Sequence, residues 1–575
     1  LIRGGRIVDG SGLPSYLGDV GIRDGKVVDL GRLRGSAART IDAAGLAVSP
    51  GFVDHHTHLD AQMLWDPYGT SEPENGVTSV VMGNCGLTLA PVADGGEDAL
   101  VKSFVRVEAM PRAALVAGVP WGWHSYGEYL DALEGKVGIN VGGLCGHIAL
   151  RQRVLGEESV ERESTPAEVE QIKGLVREAM LGGALGISTN RNVRHMREDG
   201  KPVASRLATL DELFELGDVL ADMNAGVIET IVNLSTEEHI AWYDQLARRT
   251  NRPIIWQSVL HRYSAPDFWK VQLEAIEPTF RDGYRAYGIS STEPPYNRFN
   301  LKNAQVFDEW PTFKNIMFLP EIVRKQALRD PDTRARIKAE MAEERYTNFH
   351  KRWDTIPVIS VAKPENEKYL GKMVSEVAQM RGQEPLDALI DLSLEEDLET
   401  TFLSATGGDR EAMSTIMRSP YVLIGVSDAG AHVQFNAAFG YATKMLGFWV
   451  RDRGVMPLEQ AVYKLSFQVA SIYGLHDRGL LRPGYAADVC IFDPATVNAR
   501  EPEWVQDYPA NTKRLAQKAD GVHCTIVNGR VIFEDGHLSG DLPGKVLRGA
   551  AYNPSAPSPA AAGEGRVRVP AGAAA

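Results

Sequence analysis

Eight short apolar runs alternate with helical stretches between residues 52 and 426. They lie at 52–56, 78–82, 139–144, 184–188, 226–232, 253–258, 285–290 and 421–426. Each is rich in β-branched or small residues and too short for a core helix. Strands that alternate with helices favour parallel pairing, because a parallel crossover needs a dozen or more residues. Eight such units predict an α/β fold, a (β/α)8 TIM-like barrel. The stretch "TPAEVEQIKGLVREAMLGG" (165–183) reads as one of the crossover helices. Ser164 or Thr165 would cap it, with Pro166 in its first turn.

The chain ends carry a different pattern. Residues 1–50 and 476–550 hold short strands and Gly-containing turns, with hairpin signals at Asp24-Gly25 and Asn528-Gly529. Neither end has enough apolar residues to fold alone. One small β-sandwich domain, built from both ends, is therefore expected beside a barrel over 51–475. A charged helical insertion at about 295–400 would cap the barrel. The Ala/Pro/Gly-rich stretch 551–575 is expected to be a flexible tail.

Composition narrows the function. The 575 residues carry a formal charge of -14, which argues against a nucleic-acid partner. No run approaches the ~18 apolar residues of a membrane span. The four cysteines form no CxxC pair or dense framework, so disulfides are not expected. The expectation is a cytoplasmic protein acting on a small molecule. Assembly into a homo-oligomer stays open.

The chemistry concentrates where strands end. In "GFVDHHTHLD" (51–60), His56 and His58 share a strand face and would point inward at the C-terminal mouth of the first strand. Two neutral imidazoles there make a metal pair; the plainer alternative is two hydrogen-bonded core histidines. "VTSVVMGNCGLTLAP" (77–91) brings Cys85 to the mouth of the second strand, as a thiolate ligand or an inert buried thiol. "YVLIGVSDAGAH" (421–432) brings Asp428 to the end of the eighth, as metal ligand and proton acceptor or as a turn aspartate. "LCGHIALR" (144–151) follows the third strand. His147 there could polarise the substrate, and Arg151 could pair with a carboxylate. Tyr296, Phe299, Trp310 and Phe313 would suit a bulky acyl group, or simply pack the insertion.

Together, "PGFVDHHTHLD", "GVTSVVMGNCGLTLAP", "GHIALR", "SDAGAH" and "LLRPGYAADVCIFDP" resemble the D-aminoacylase (N-acyl-D-amino-acid deacylase) family of the amidohydrolase superfamily. The resemblance covers about residues 1–545. It implies a zinc-containing barrel with a small β-sandwich. It carries over His56, His58 and Cys85 as metal ligands and Asp428 as ligand and general base. The family pattern also has a histidine on the fifth and on the sixth strand. Here these strands read "GVIETIV" and "RPIIWQSVL", where the nearest candidates are Glu229, Gln257 and, one turn on, His261. The fourth strand has no lysine to bridge two metals. One Zn2+ is therefore favoured over two.

The expected activity is hydrolysis of the amide bond of N-acyl amino acids, the D forms first, by metal-activated water. Asp428 would move the proton, and His147 would face the oxyanion. Competing readings are a cyclic-amide hydrolase, a deaminase, or a barrel that only binds a ligand.

Overall fold

The computed structural model describes residues 1–232, 237–294, 296–302, 304–343, 347, 349–434 and 436–556. Eight parallel strands form one curled sheet: β1 (Phe52–Asp54), β2 (Val77–Met82), β3 (Asn140–Gly146), β4 (Gly186–Asn190), β5 (Val227–Ile231), β6 (Ile254–Gln257), β7 (Ala286–Ser290) and β8 (Val422–Ile424). They pair in chain order. A parallel bridge between Thr57 and Ala429 joins the two ends of the sheet, and His58 N donates to Ala429 O at 2.7 Å. Each of the eight apolar runs read from the sequence overlaps one of these strands.

The strands hold together because both faces are covered. Val53, Val81, Leu144, Val227, Ile255 and Leu423 pack in one layer, closed by Val469 and Tyr473 from the segment around the helix Phe467–Ile472. Burial of each such aliphatic side chain contributes about 1.5–3 kcal/mol. Alternate residues, such as Phe52, Val80 and Ile254, pack outward in the larger apolar cluster shared with the helices. The helix Pro166–Leu181 starts as its sequence predicts. Thr165 Oγ1 accepts from Glu168 N at 3.3 Å, and Glu168 Oε2 accepts from Thr165 N at 2.7 Å.

Both chain ends meet in a nine-stranded sheet. Its central strand Ala47–Pro50 pairs parallel with Ile2–Ile7 and antiparallel with Val489–Phe492. Ile7, Val48, Val489 and Ile526 belong to its own apolar core. The two hairpin signals form left-handed turns, with φ of 51° and 76° at Asp24-Gly25 and 47° and 78° at Asn528-Gly529. Such turns match the twist of the flanking strands.

Between β7 and β8 lies a separate body with its own core, which includes Phe299, Trp310 and Phe313. It holds a three-stranded antiparallel sheet, with Thr401–Ala405 between Tyr296–Phe299 and Val358–Ser360. Arg106, on the helix Glu97–Val107, fastens it to the barrel through Asp308 at 2.7 Å and lies 5.0 Å over the Phe318 ring. Among the described residues no helix is long and apolar enough to cross a membrane. The tail expected to be flexible falls outside the described residues from 557 onward.

Candidate metal centre

β1 ends at Asp54 after an irregular register with β2, so strict alternation does not continue to the histidines. His56 and His58 sit on the turn beyond it. Their rings are 5.4 Å apart and nearly perpendicular. Both are buried. Their nitrogens and Cys85 Sγ offer three ligand atoms within 4.8 Å of one another; His56 Nε2 is 3.5 Å from the sulfur.

Cys85 reaches this point through a tight turn. Gly83, Cys85 and Gly86 all have positive φ, of 76°, 56° and 75°, and such conformations in non-glycine residues mark functional turns. The turn is tied to its neighbours. Asn84 Nδ2 donates to Thr57 O at 3.2 Å, Gly83 N to Asp60 Oδ2 at 3.0 Å, and Gly86 N to Ser188 Oγ at 2.9 Å. The first two bonds lock the cysteine turn to the histidine turn.

Asp428, with φ of 49°, comes from the turn after β8, which the Thr57–Ala429 bridge sets beside the histidine turn. Its Oδ1 lies 3.3 Å from His56 Nε2 and 3.9 Å from His58 Nε2. Its side chain is 25% exposed, against 1% for each histidine. The carboxylate therefore faces a cleft that Arg194, His195, Arg262, Tyr296, His432 and Asn436 line.

The electrostatics fit a cation. Burial pushes the Cys85 thiol well above its ordinary range, with Glu229, Glu108 and Asp428 adding to it; a thiol so placed ionises when a metal accepts it. Burial drives His58 down to about 3, leaving a neutral ring with a free lone pair. Burial also raises the Glu229 carboxyl to about 7 and that of Glu108 well above its usual value. Burial would raise Asp428 too, but the His56 hydrogen bond and the nearby histidine rings hold it low. Glu108 Oε2 is buried with no hydrogen-bond partner. Two imidazoles, a thiol and a carboxylate are the ligand types that zinc takes.

Two of the three nearest candidates on strands five and six reach the centre. Glu229 Oε2 accepts from Cys85 N at 2.9 Å, and Gln257 Nε2 lies 2.8 Å from His56 Nε2. His261 turns away; its Nδ1 accepts from Gly408 N at 3.2 Å and Asp409 N at 3.1 Å.

The structure corrects the roles expected for His147 and Arg151. His147 begins the helix His147–Leu155, so both side chains lie on a helix packed against its neighbours rather than on a strand end. Both are 0% exposed. Glu212, from the helix Leu210–Asp222, can only accept, so His147 Nε2–H donates to its Oε1 at 2.9 Å and Nδ1 accepts from Thr189 Oγ1 at 2.9 Å. Arg151 Nη1 donates to both Glu212 oxygens, at 2.8 and 2.7 Å. Neither residue lines the cleft that Asp428 faces. Of the four aromatics considered for an acyl group, Phe299, Trp310 and Phe313 fill the core of the inserted body, and Tyr296 lines the cleft.

Three further residues at the centre escape the sequence reading. Glu108 Oε1 stands 3.6 Å from His58 Nδ1, and its Oε2 stands 3.8 Å from His432 Nε2. His195 completes that wall of the cleft. His432 follows Asp428 within "SDAGAH" and could have been read from that motif; Glu108 and His195 lie on connections where periodicity says nothing.

Comparison with known proteins agrees with this architecture. The sequence profile of the Amidohydrolase family matches residues 39–533. The chain belongs to the amidohydrolase family. This amidohydrolase is therefore a hydrolase acting on amide C–N bonds. It is 28% identical to a D-aminoacylase of Alcaligenes xylosoxydans xylosoxydans over 555 residues, covering 95% of this chain and 97% of the relative. It is 27% identical to an N-acyl-D-aspartate deacylase of the same organism, covering 95% and 94%. A solved D-aminoacylase with a binuclear metal centre, in which one metal activates and a second attenuates, superposes with a TM-score of 0.66 at 25% identity, covering 95% of this chain and 99% of the other.

Proposed function

We propose that this amidohydrolase is a zinc-dependent deacylase that hydrolyses the amide bond of N-acyl amino acids, the D forms in particular. One observation carries the reading. His56, His58 and Cys85 bring their ligand atoms within 4.8 Å of one another, and Asp428 stands 3.3 Å from His56 on the cleft side. Relatives of nearly full length, a D-aminoacylase and an N-acyl-D-aspartate deacylase, support the substrate class. His56, His58, Cys85 and Asp428 would hold a single zinc ion. When bound, that ion would supply Lewis-acid polarisation and make water more acidic.

The chain's own residues do the rest. Asp428 Oδ1 accepts a proton from water and returns it to the leaving nitrogen. Its low proton affinity at rest keeps it ionised as an acceptor, through the histidine rings around it. Acid–base work of this kind contributes about 10²–10⁴-fold. Glu108 and Glu229 hold the ligand rings and the cysteine turn in place through the contacts above. The inserted body brings Tyr296 and Asn297 to the rim of the cleft, which limits water there.

The test is a substrate comparison on the zinc-loaded protein. N-acyl-D-amino acids, their L forms, cyclic imides and aminopurines are offered, and released amine, carboxylate and ammonia are measured. Turnover of N-acyl amino acids, D above L, is expected. Turnover of cyclic imides alone, release of ammonia, or no turnover of any of them would overturn the proposal.

A further inference from the structure

We propose that Gln257 limits this centre to one metal ion by filling the place that a second ion would take. The inference rests on the single-zinc reading above and does not depend on which amide is cleaved.

Gln257 closes β6, and its side chain reaches Glu229 of β5. Its Nε2 lies 2.8 Å from His56 Nε2, 3.2 Å from Cys85 Sγ and 3.4 Å from Glu229 Oε1. A sulfur and a carboxylate oxygen thus converge on one point, against the edge of the His56 ring, whose Nδ1 is 3.3 Å from the amide nitrogen. Such a convergence of lone pairs is what a divalent cation occupies. Here a neutral amide nitrogen occupies it. The acceptors also fix which way the amide faces. A carboxylate only accepts, so turning the amide oxygen towards Glu229 would set two oxygens with no proton between them.

The neighbouring donors are already committed. Glu229 Oε2 accepts from Cys85 N at 2.9 Å, and its Oε1 is the oxygen that faces the amide. Glu229 is 0% exposed, so it has no bulk water to turn to. The amide carries two N–H groups. These suffice for the sulfur and the carboxylate and leave the His56 Nε2 lone pair to an ion held with His58 and Asp428, whose Oδ1 is 3.3 Å from that nitrogen. The amide thus covers one side of the shared sulfur and leaves the other open. A carboxylate at position 257 would reverse this. It would add a second buried anion beside Glu229 and create a demand for a second cation.

The experiment counts metal rather than turnover. The full chain and its Q257E, Q257H and Q257L variants are loaded with excess zinc, dialysed free of unbound ion and analysed by inductively coupled plasma mass spectrometry. Circular dichroism verifies folding. The wild type and Q257L are expected to hold one equivalent. Q257E is expected to hold two; if it does not fold, Q257H carries the same expectation, because its ring adds a ligand without adding charge. Any wild-type count other than one, or one equivalent in every folded variant, would overturn the proposal. A wild type with two zinc ions that still cleaves N-acyl amino acids would defeat this inference alone. A wild type with one zinc ion that cleaves no amide would defeat the functional reading alone.

Discussion

Replacing Arg151 with methionine should weaken the fold without touching substrate binding. The guanidinium is 0% exposed. Its Nη1 reaches both Glu212 oxygens at 2.8 and 2.7 Å and Ser164 Oγ at 2.6 Å, and its Nη2 reaches Arg162 O at 2.9 Å. Burial would raise the Glu212 carboxyl, yet the His147 hydrogen bond and Arg151 bring it from 4.5 down to about 2. At about 1.4 kcal/mol for each tenfold change in proton affinity, that displacement corresponds to about 3 kcal/mol. Removing one partner of a buried ion pair typically costs about 3–5 kcal/mol, because the other is left charged in the interior. Thermal unfolding by circular dichroism should therefore show the first transition of R151M lowered by several degrees at neutral pH. The KM of the remaining folded enzyme should match that of the wild type. A depressed carboxyl stabilises the fold fully above its unfolded value and loses that contribution as pH falls. The two proteins should thus converge as pH drops from about 4.5 towards about 2. An unchanged transition with a raised KM would mean that Arg151 meets substrate, and the reasoning would fail.

Three further outcomes are expected. Stripping the metal with a chelator should abolish hydrolysis and lower the thermal transition, both restored by zinc, because an ion that binds only the folded state stabilises it by mass action; activity that survives in metal-free protein would exclude the centre. D428N should remain folded and lose at least about 10²–10⁴-fold in kcat, and normal turnover would remove Asp428 from proton transfer. G83A should lower both stability and zinc content, by at least about 1 kcal/mol for the strain alone. Its φ is 76° and a Cβ there would stand 2.1 Å from Leu144 O. Wild-type zinc content in G83A would show that this turn does not set the position of Cys85.

The barrel was legible because its signal is repetitive. Eight apolar runs at crossover spacing have few other solutions, and each overlaps a barrel strand. The convergence of His56, His58, Cys85 and Asp428 was legible because each stands at or just past the end of such a run, where the chain must turn at the barrel mouth. The same reasoning misplaced His147. It also stands just past a strand, but β3 passes directly into a helix, whose first turn aims the ring at Glu212. Position after a strand shows proximity to the mouth and not the direction of the side chain. Glu108 was not legible at all. It arrives from a connection between β2 and β3, where no period constrains facing, and only the packed fold brings it 3.6 Å from His58.

The sheet shared by the two ends also sets a timetable for synthesis. Ser49 Oγ meets Cys490 O across 441 positions of chain. At roughly 5–20 residues per second, a ribosome needs about 20–90 s to deliver that partner. Until then the edge of Ala47–Pro50 that Val489–Phe492 will cover has no native neighbour, and an unpaired strand edge invites association with other chains. The nascent protein must spend that interval with its first strands waiting for its last.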